Sequence, residues 1–353
     1  MYKRVMQKVQ NSDFDAFLIL DDANRNFLCN KGNYFLPGAM LITADNVYLA
    51  TPSRNINYFT KIYSEYTIFA GTMLNLAVTA KELGINKLGF EGSTITKMQY
   101  DTMLSIFGDI EYISAYDFIE DIRLIKTDSE IKLIKDATML SDKAYVEFLN
   151  HIKVGMTEMQ ARAVFDNILM SMGANEFSFP TLLSSGDRAF MPHSVPTEKV
   201  IQKGDLVLTD FGIVLNGYCS DTTRTFVMGS ADEKQKYMYD LVLKSQIHAL
   251  DNIQAGMTAH DCDALSRDII TKELEKGCYE YGLGHGLGMQ VHEKPRFAPK
   301  NEYIMQKNTV MSVEPGIYIE GWGGIRIEDI MVVENKKGGQ NLTTAPKMTL
   351  IEI

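Results

Sequence analysis

Four acidic residues stand in two stretches whose patterns would bring them together. Asp205–Val227 reads DLVLTDFGIVLNGYCSDTTRTFV. Apolar and β-branched residues fill both arms, and Asn216-Gly217 between them suits a two-residue type I′ turn, so the stretch predicts a β-hairpin. With Leu215 and Tyr218 flanking the turn, Asp210 faces Thr223 and Asp221 faces Gly212. The two aspartates are then diagonal neighbours on one face. A solvated face, or an ion pair with Arg224 on the same arm, would each account for one such acid. Further on, Gln306–Gly316 can be laid on Gln202–Gly212 at an offset of 104 residues. Glu314 then falls on Asp210 and, with three extra residues in the turn, Glu328 falls on Asp221. Gly155-Met156-Thr157 and Gly256-Met257-Thr258 open helices in corresponding places. The expectation is two similar α/β halves about a pseudo-two-fold, each giving a hairpin with two carboxylates to a shared cleft.

Between the hairpins lies Gly282-Leu283-Gly284-His285-Gly286-Leu287-Gly288. Glycine at every second position strips side chains from around His285 and lets a ligand approach the backbone. His193, His285 and His292, three of the six histidines, flank the acid hairpins. Arg326 and Glu328 share a face, in alternation with Ile325 and Ile327. Four carboxylates in one sheltered pocket raise one another's pKa, whereas two divalent cations would neutralise them. Oxygen donors with one imidazole suit Mn²⁺, Co²⁺, Fe²⁺ or Zn²⁺ better than a structural zinc, which favours cysteine. A carboxylate from each half bridging ions about 3.5–4 Å apart is the arrangement of two-metal hydrolases, which use a hydroxide shared by the ions.

The elements that must position these groups follow from the rest of the chain. Its 353 residues are enough for two domains. Residues 1–124 read as a small α/β unit, with a helix near Val5–Val9 and strands at Ala16–Leu20, Ala39–Thr43, Val47–Ala50 and Lys87–Phe90. Helical patterns fall near Asn75–Leu83 and Ile95–Ile106. No chemistry is legible there, so its expected role is support or oligomerisation, in a homodimer. Thr127 with Glu130 forms a capping box that opens residues 125–353, the expected catalytic domain. The net charge of −10, with no basic run, excludes a nucleic-acid partner held by its phosphates. No stretch is apolar enough for a signal peptide core or a membrane span. Four cysteines without a CxxC pair predict a reducing, cytoplasmic setting.

Asp210-Phe211-Gly212, Ser220–Thr225, Gly284–Gly288, Val291-His292-Glu293, Val313–Tyr318 and Gly324–Asp329 resemble, in order and spacing, the Xaa-Pro peptidases of the pita-bread metallopeptidase family. These are prolidase (Xaa-Pro dipeptidase) and aminopeptidase P. Leu88–Gly92 and the Arg123-Leu124-Ile125-Lys126 junction resemble the N-terminal domain of creatinase and prolidase. The resemblance implies an α/β (α+β) chain whose C-terminal domain has the pita-bread fold. It implies five metal ligands, Asp210, Asp221, His285, Glu314 and Glu328, with Asp221 and Glu328 bridging two divalent ions, Mn²⁺ foremost. His193 and His292 would contact the substrate or stabilise the oxyanion, Glu314 would shuttle the proton, and Arg326 would support the acids. Arg296 is expected to take the free carboxylate of a dipeptide, which favours prolidase over aminopeptidase P. Tyr281 and Arg188 depart from the family pattern; Tyr281 stands where many relatives have histidine and is expected to shape the substrate pocket. Creatinase, which lacks the ligands, a peptide-binding module without catalysis, and methionine aminopeptidase are the rival readings.

Overall fold

A computed structural model describes residues 1–29, 36–274 and 276–353. The chain divides into two compact units, Met1–Arg123 and Leu124–Ile353.

Among the described residues of the first unit, six strands form one sheet. Their order is Thr67–Ala70, Val47–Thr51, Ala39–Thr43, Ala16–Ile19, Lys87–Glu91 and Glu111–Ala115. The four expected strands are its centre, and the two at its edges are additions. Both edge strands are half-exposed, so neither carries the apolar run of a buried strand. Helices Met73–Glu82 and Lys97–Phe107 start at capping boxes on Thr72 and Thr96. Glu91, buried at a strand end, accepts backbone N–H groups from Leu20 (2.6 Å) and Asp21 (2.8 Å) and the Asn24 amide (2.9 Å).

The second unit is built twice. Helices Asp128–Leu149 and Glu158–Ser171 precede strands Leu206–Phe211 and Thr222–Val227. Helices Glu233–Asn252 and Ala259–Glu273 precede strands Val310–Val313 and Asp329–Val332. Each helix begins at a Thr or Asp whose side chain accepts an N–H of its first turn. The duplication extends to single hydrogen bonds. Gly155 donates to Ile201 O (3.0 Å) and Ile201 to Met156 O (2.8 Å). In the second half Gly256 donates to Met305 O (2.9 Å) and Met305 to Met257 O (2.8 Å). Gly155 and Gly256 have φ of +93° and +92°, a conformation that glycine adopts without a Cβ clash.

The first hairpin has the expected register, with Asp210 opposite Thr223, Leu215 opposite Tyr218, and positive φ at Asn216 and Gly217. Arg224, by the alternation of the strand, points to the other face. It bonds Asp329 (2.8 Å) and the carbonyl of Glu328 (2.5 Å), so it is not the partner of either aspartate. In the second hairpin Val313 pairs with Asp329 and Gly316 with Arg326. Glu314 and Glu328 therefore face each other directly, where the aspartates are diagonal.

Candidate metal centre

The ten residues singled out above line one cleft of ≈ 580 Å³ in the second unit. Its deepest part gathers Asp221, His285 and Glu328, each buried, with one potential ligand atom apiece lying within 4.8 Å of one another. Asp210 and Glu314 border this trio. His285 stands on the short strand Gly284–Gly286, whose glycines carry the close packing: a Cβ on Gly284 would lie 2.1 Å from Ser312 O, and one on Gly286 would lie 2.4 Å from Lys294 O. Its Nδ1 lies 3.0 Å from Gly286 O, so that nitrogen donates and Nε2 faces the acids. Nε2 is 3.2 Å from Glu314 Oε1 and 3.6 Å from Asp221 Oδ2.

The electrostatics of this pocket are those of a cluster short of positive charge. Burial, then Glu328 and Asp210, pushes the Asp221 carboxyl well above its ordinary pKa. Burial, then Glu314 and Asp210, does the same to Glu328. Burial also raises Asp210, although Arg326 opposes it. Glu314 goes the other way: burial would raise it, but the hydrogen bond and charge of His285, with Arg326 and Ser312, together lower it, while His285 itself is raised. The contact between His285 Nε2 and Glu314 is what a bound cation would replace.

Arg326 is the fixed positive charge. It pairs with Asp210 and donates to Thr223 Oγ1 (2.9 Å), Tyr318 Oη (2.9 Å) and Pro192 O (3.0 Å). It thereby ties the acids to the segment bearing His193. Asp210 Oδ1 and Glu328 Oε1 are buried with no hydrogen-bond partner among the described residues. Such orphaned oxygens are costly in a protein interior unless an ion takes them up. With one imidazole nitrogen aimed at the same space, the residues fit a pair of divalent metal ions held by hard oxygen donors.

His292 and His193 lie nearer the cleft mouth. The His292 ring is 4.4 Å from that of His285 and His193 is 6.3 Å from Tyr281, centroid to centroid. Tyr281 is 54% exposed, which leaves it free to meet a substrate. Arg296 pairs with His285 across the strands. Phe179, Pro180, Leu182 and Phe297 supply an apolar wall.

Several contributing residues were not assigned a role from sequence. Ser312 Oγ donates to Glu314 (2.9 Å) and accepts the His285 N–H (3.0 Å). Arg188 bonds the buried Glu158 (3.2 Å), Ser194 Oγ (2.9 Å) and Val195 O (2.9 Å), and so holds the turn after His193. Arg188 was visible as a departure from the family pattern; Ser312 gave no signal.

Comparison with known proteins gives the same class. Residues 132–335 match the model of metallopeptidase family M24, and residues 2–125 that of the creatinase/prolidase N-terminal domain. The chain belongs to metallopeptidase family M24, and its second unit has the pita-bread fold. The Xaa-Pro dipeptidase of Pyrococcus horikoshii is 33% identical over 345 residues, covering 97% of this chain and 96% of its own. The solved structure of an Xaa-Pro dipeptidase from Bacillus anthracis matches with a TM-score of 0.93 and 35% identity, over 100% of this chain and 99% of that one. An X-Pro aminopeptidase from Thermotoga maritima matches with a TM-score of 0.90 and 30% identity, over 98% of this chain and 100% of that one.

Proposed function

We propose that this chain is a metal-dependent Xaa-Pro dipeptidase. The observation that carries the proposal is the joining of Asp221, His285 and Glu328 within ligand distance of one another, beside orphaned oxygens on Asp210 and Glu328, at the base of an apolar-walled cleft. Relatives named Xaa-Pro dipeptidase along nearly the whole chain support it. Asp210, Asp221, His285, Glu314 and Glu328 are the residues that would hold two divalent ions. Such ions polarise a carbonyl and bring the pKa of water down to about 7.

The chain's own groups do the rest. Glu314, whose carboxylate is held by Ser312 and His285, takes the proton of the attacking water and passes it to the departing proline nitrogen. His292, whose pKa is lowered by burial and by His285, is neutral near pH 7. With His193 it offers an N–H to the negative charge that develops on the carbonyl oxygen. The proline nitrogen has no N–H to be recognised, so the apolar wall takes its ring. Arg296 takes the terminal carboxylate.

Hydrolysis of a panel of Xaa-Pro dipeptides and Xaa-Pro-Yaa tripeptides, with and without added metal, tests this reading. Metal-dependent release of proline from dipeptides is expected. Cleavage of the longer peptides alone would make the chain an Xaa-Pro aminopeptidase, and metal binding without any cleavage would leave a peptide-binding module. We assign manganese as the physiological metal because the donors are hard oxygens plus one imidazole; metal analysis of protein purified without chelator checks it. The described cysteines form no disulfide, in keeping with the cytoplasm, and no helix among the described residues is long and apolar enough to cross a membrane. A homodimer is the assembly we assign, with the N-terminal unit as its contact; light scattering of the full chain tests it.

A further inference from the structure

Two charged residues outside the acid hairpins have a bearing on His292. Lys126 follows the domain boundary and is almost wholly buried, and its Nζ lies 3.1 Å from Glu293 Oε2. The pair is separated by 167 positions in sequence. Glu293 is the next residue after His292. Its other oxygen accepts the backbone N–H groups of Met289 (3.0 Å) and Gln290 (3.2 Å), folding the segment 288–293 back on itself. The carboxylate presses against Gly288, where an added Cβ would meet it at 2.8 Å. Gly288 O in turn accepts the N–H of Cys219 (2.7 Å), two residues from Asp221.

Lys126 is itself anchored. Its N–H bonds Asn308 O (3.0 Å), and Ile125 bridges to Thr309, at the start of the strand that leads to Glu314. A single set of bonded atoms therefore runs from the strand of Glu314, through Lys126 and Glu293, to the turn that carries His292. An ionised carboxylate accepts at both oxygens and so can hold both backbone N–H groups and the ammonium at once.

We infer that Lys126 and Glu293 are positioning residues that fix the His292 imidazole over the site. This rests on the assignment of His292 to the developing oxyanion. A misplacement of about 1 Å in such a group can cost on the order of a hundredfold in rate. Neither residue touches the substrate, so the loss falls on kcat and leaves KM nearly unchanged.

The test is a double-mutant cycle on the metal-loaded protein. Lys126→Met, His292→Ala and the double variant are compared for kcat and KM on an Xaa-Pro dipeptide, with metal content measured for each. Lys126→Met is expected to lower kcat by about ten- to a hundredfold in the parent, but by less than about threefold in the His292→Ala background. Lys126→Arg, which keeps the charge, should restore most of the rate. An equal loss in both backgrounds, or a loss explained by metal content, would make the pair a general structural element and overturn the inference. So would a full loss in His292→Ala with none in Lys126→Met. If His292→Ala alone loses nothing, the assignment of His292 falls first and the inference with it. Should Lys126→Met not fold, Lys126→Met with Glu293→Gln leaves no lone buried charge and is read in the same way.

Discussion

Two sites in this chain bury carboxylates and differ in what surrounds them. Glu91, in the N-terminal unit, has donors on both oxygens: two backbone N–H groups on one and the Asn24 amide on the other. The acids of the C-terminal unit stand beside one another, and Asp210 and Glu328 each leave an oxygen unbonded among the described residues. The first is a closed structural site, which ties the sheet to the start of the helix Asp22–Leu28, itself capped by Asp21. The second is open, as the proposed role of these acids as metal ligands requires. Burial alone does not separate the two; satisfaction of the oxygens does.

The comparison breaks most visibly on activity. Glu314→Gln or His285→Ala should lower kcat/KM by roughly a thousandfold or more and reduce bound metal, because each removes a donor that nothing nearby replaces. Glu91→Gln should change neither. A metal-free His285→Ala that kept full activity would show that the cluster is structural after all.

The next contrast is in pH. Burial, against the bonds from Asn24, Leu20 and Asp21, raises Glu91 from 4.5 to about 7. A carboxyl raised in the folded state binds more protons folded than unfolded, so stability falls as pH rises from about 4.5 to about 7 and is flat above. The span corresponds to about 3 kcal/mol. Urea unfolding of Glu91→Gln and of the parent at pH 5 and pH 8 should show that only the parent loses this increment; parallel curves would refute it. Glu91→Ala, which strands the Leu20 and Asp21 N–H groups, should cost about 2 kcal/mol even at pH 5.

The two sites were unequally legible in sequence. Asn216-Gly217 fixed the first hairpin's register by turn chemistry, and the 104-residue repeat carried Asp210 to Glu314 and Asp221 to Glu328. Local patterns do not specify distant partners. Glu91 bonds atoms 67 to 71 positions away, and so entered only as one residue of the Leu88–Gly92 motif, without an assigned role. Lys126 belonged to a junction motif without an assigned role for the same reason. The repeat also concealed a difference: equivalent acids are diagonal in one hairpin and opposed in the other. The three extra residues of the second turn shift the pairing, but their number alone did not say to which register. Arg224 could have been read correctly from strand alternation alone, since it is adjacent to Thr223 and so faces away from Asp210.

The smallest effect has the opposite sign from the others. After chelation, Asp221 holds its proton well above the ordinary aspartate range, through burial and the neighbouring Glu328, Asp210 and Glu314. In the unfolded chain it ionises freely, so the metal-free protein loses stability as pH rises above about 4. Asp221→Asn has no proton to retain and nearly the same shape. It should therefore leave the metal-free protein more stable than the parent near pH 7, with the gain vanishing near pH 4. Added Mn²⁺ should reverse the order, since a ligand present at about a hundred times its Kd stabilises the parent by about 2.7 kcal/mol, while the variant lacks a donor. Thermal unfolding with chelator and with metal, at both pH values, reads all four conditions. A loss of stability in metal-free Asp221→Asn would mean that this carboxylate, like Glu91, belongs to the fold.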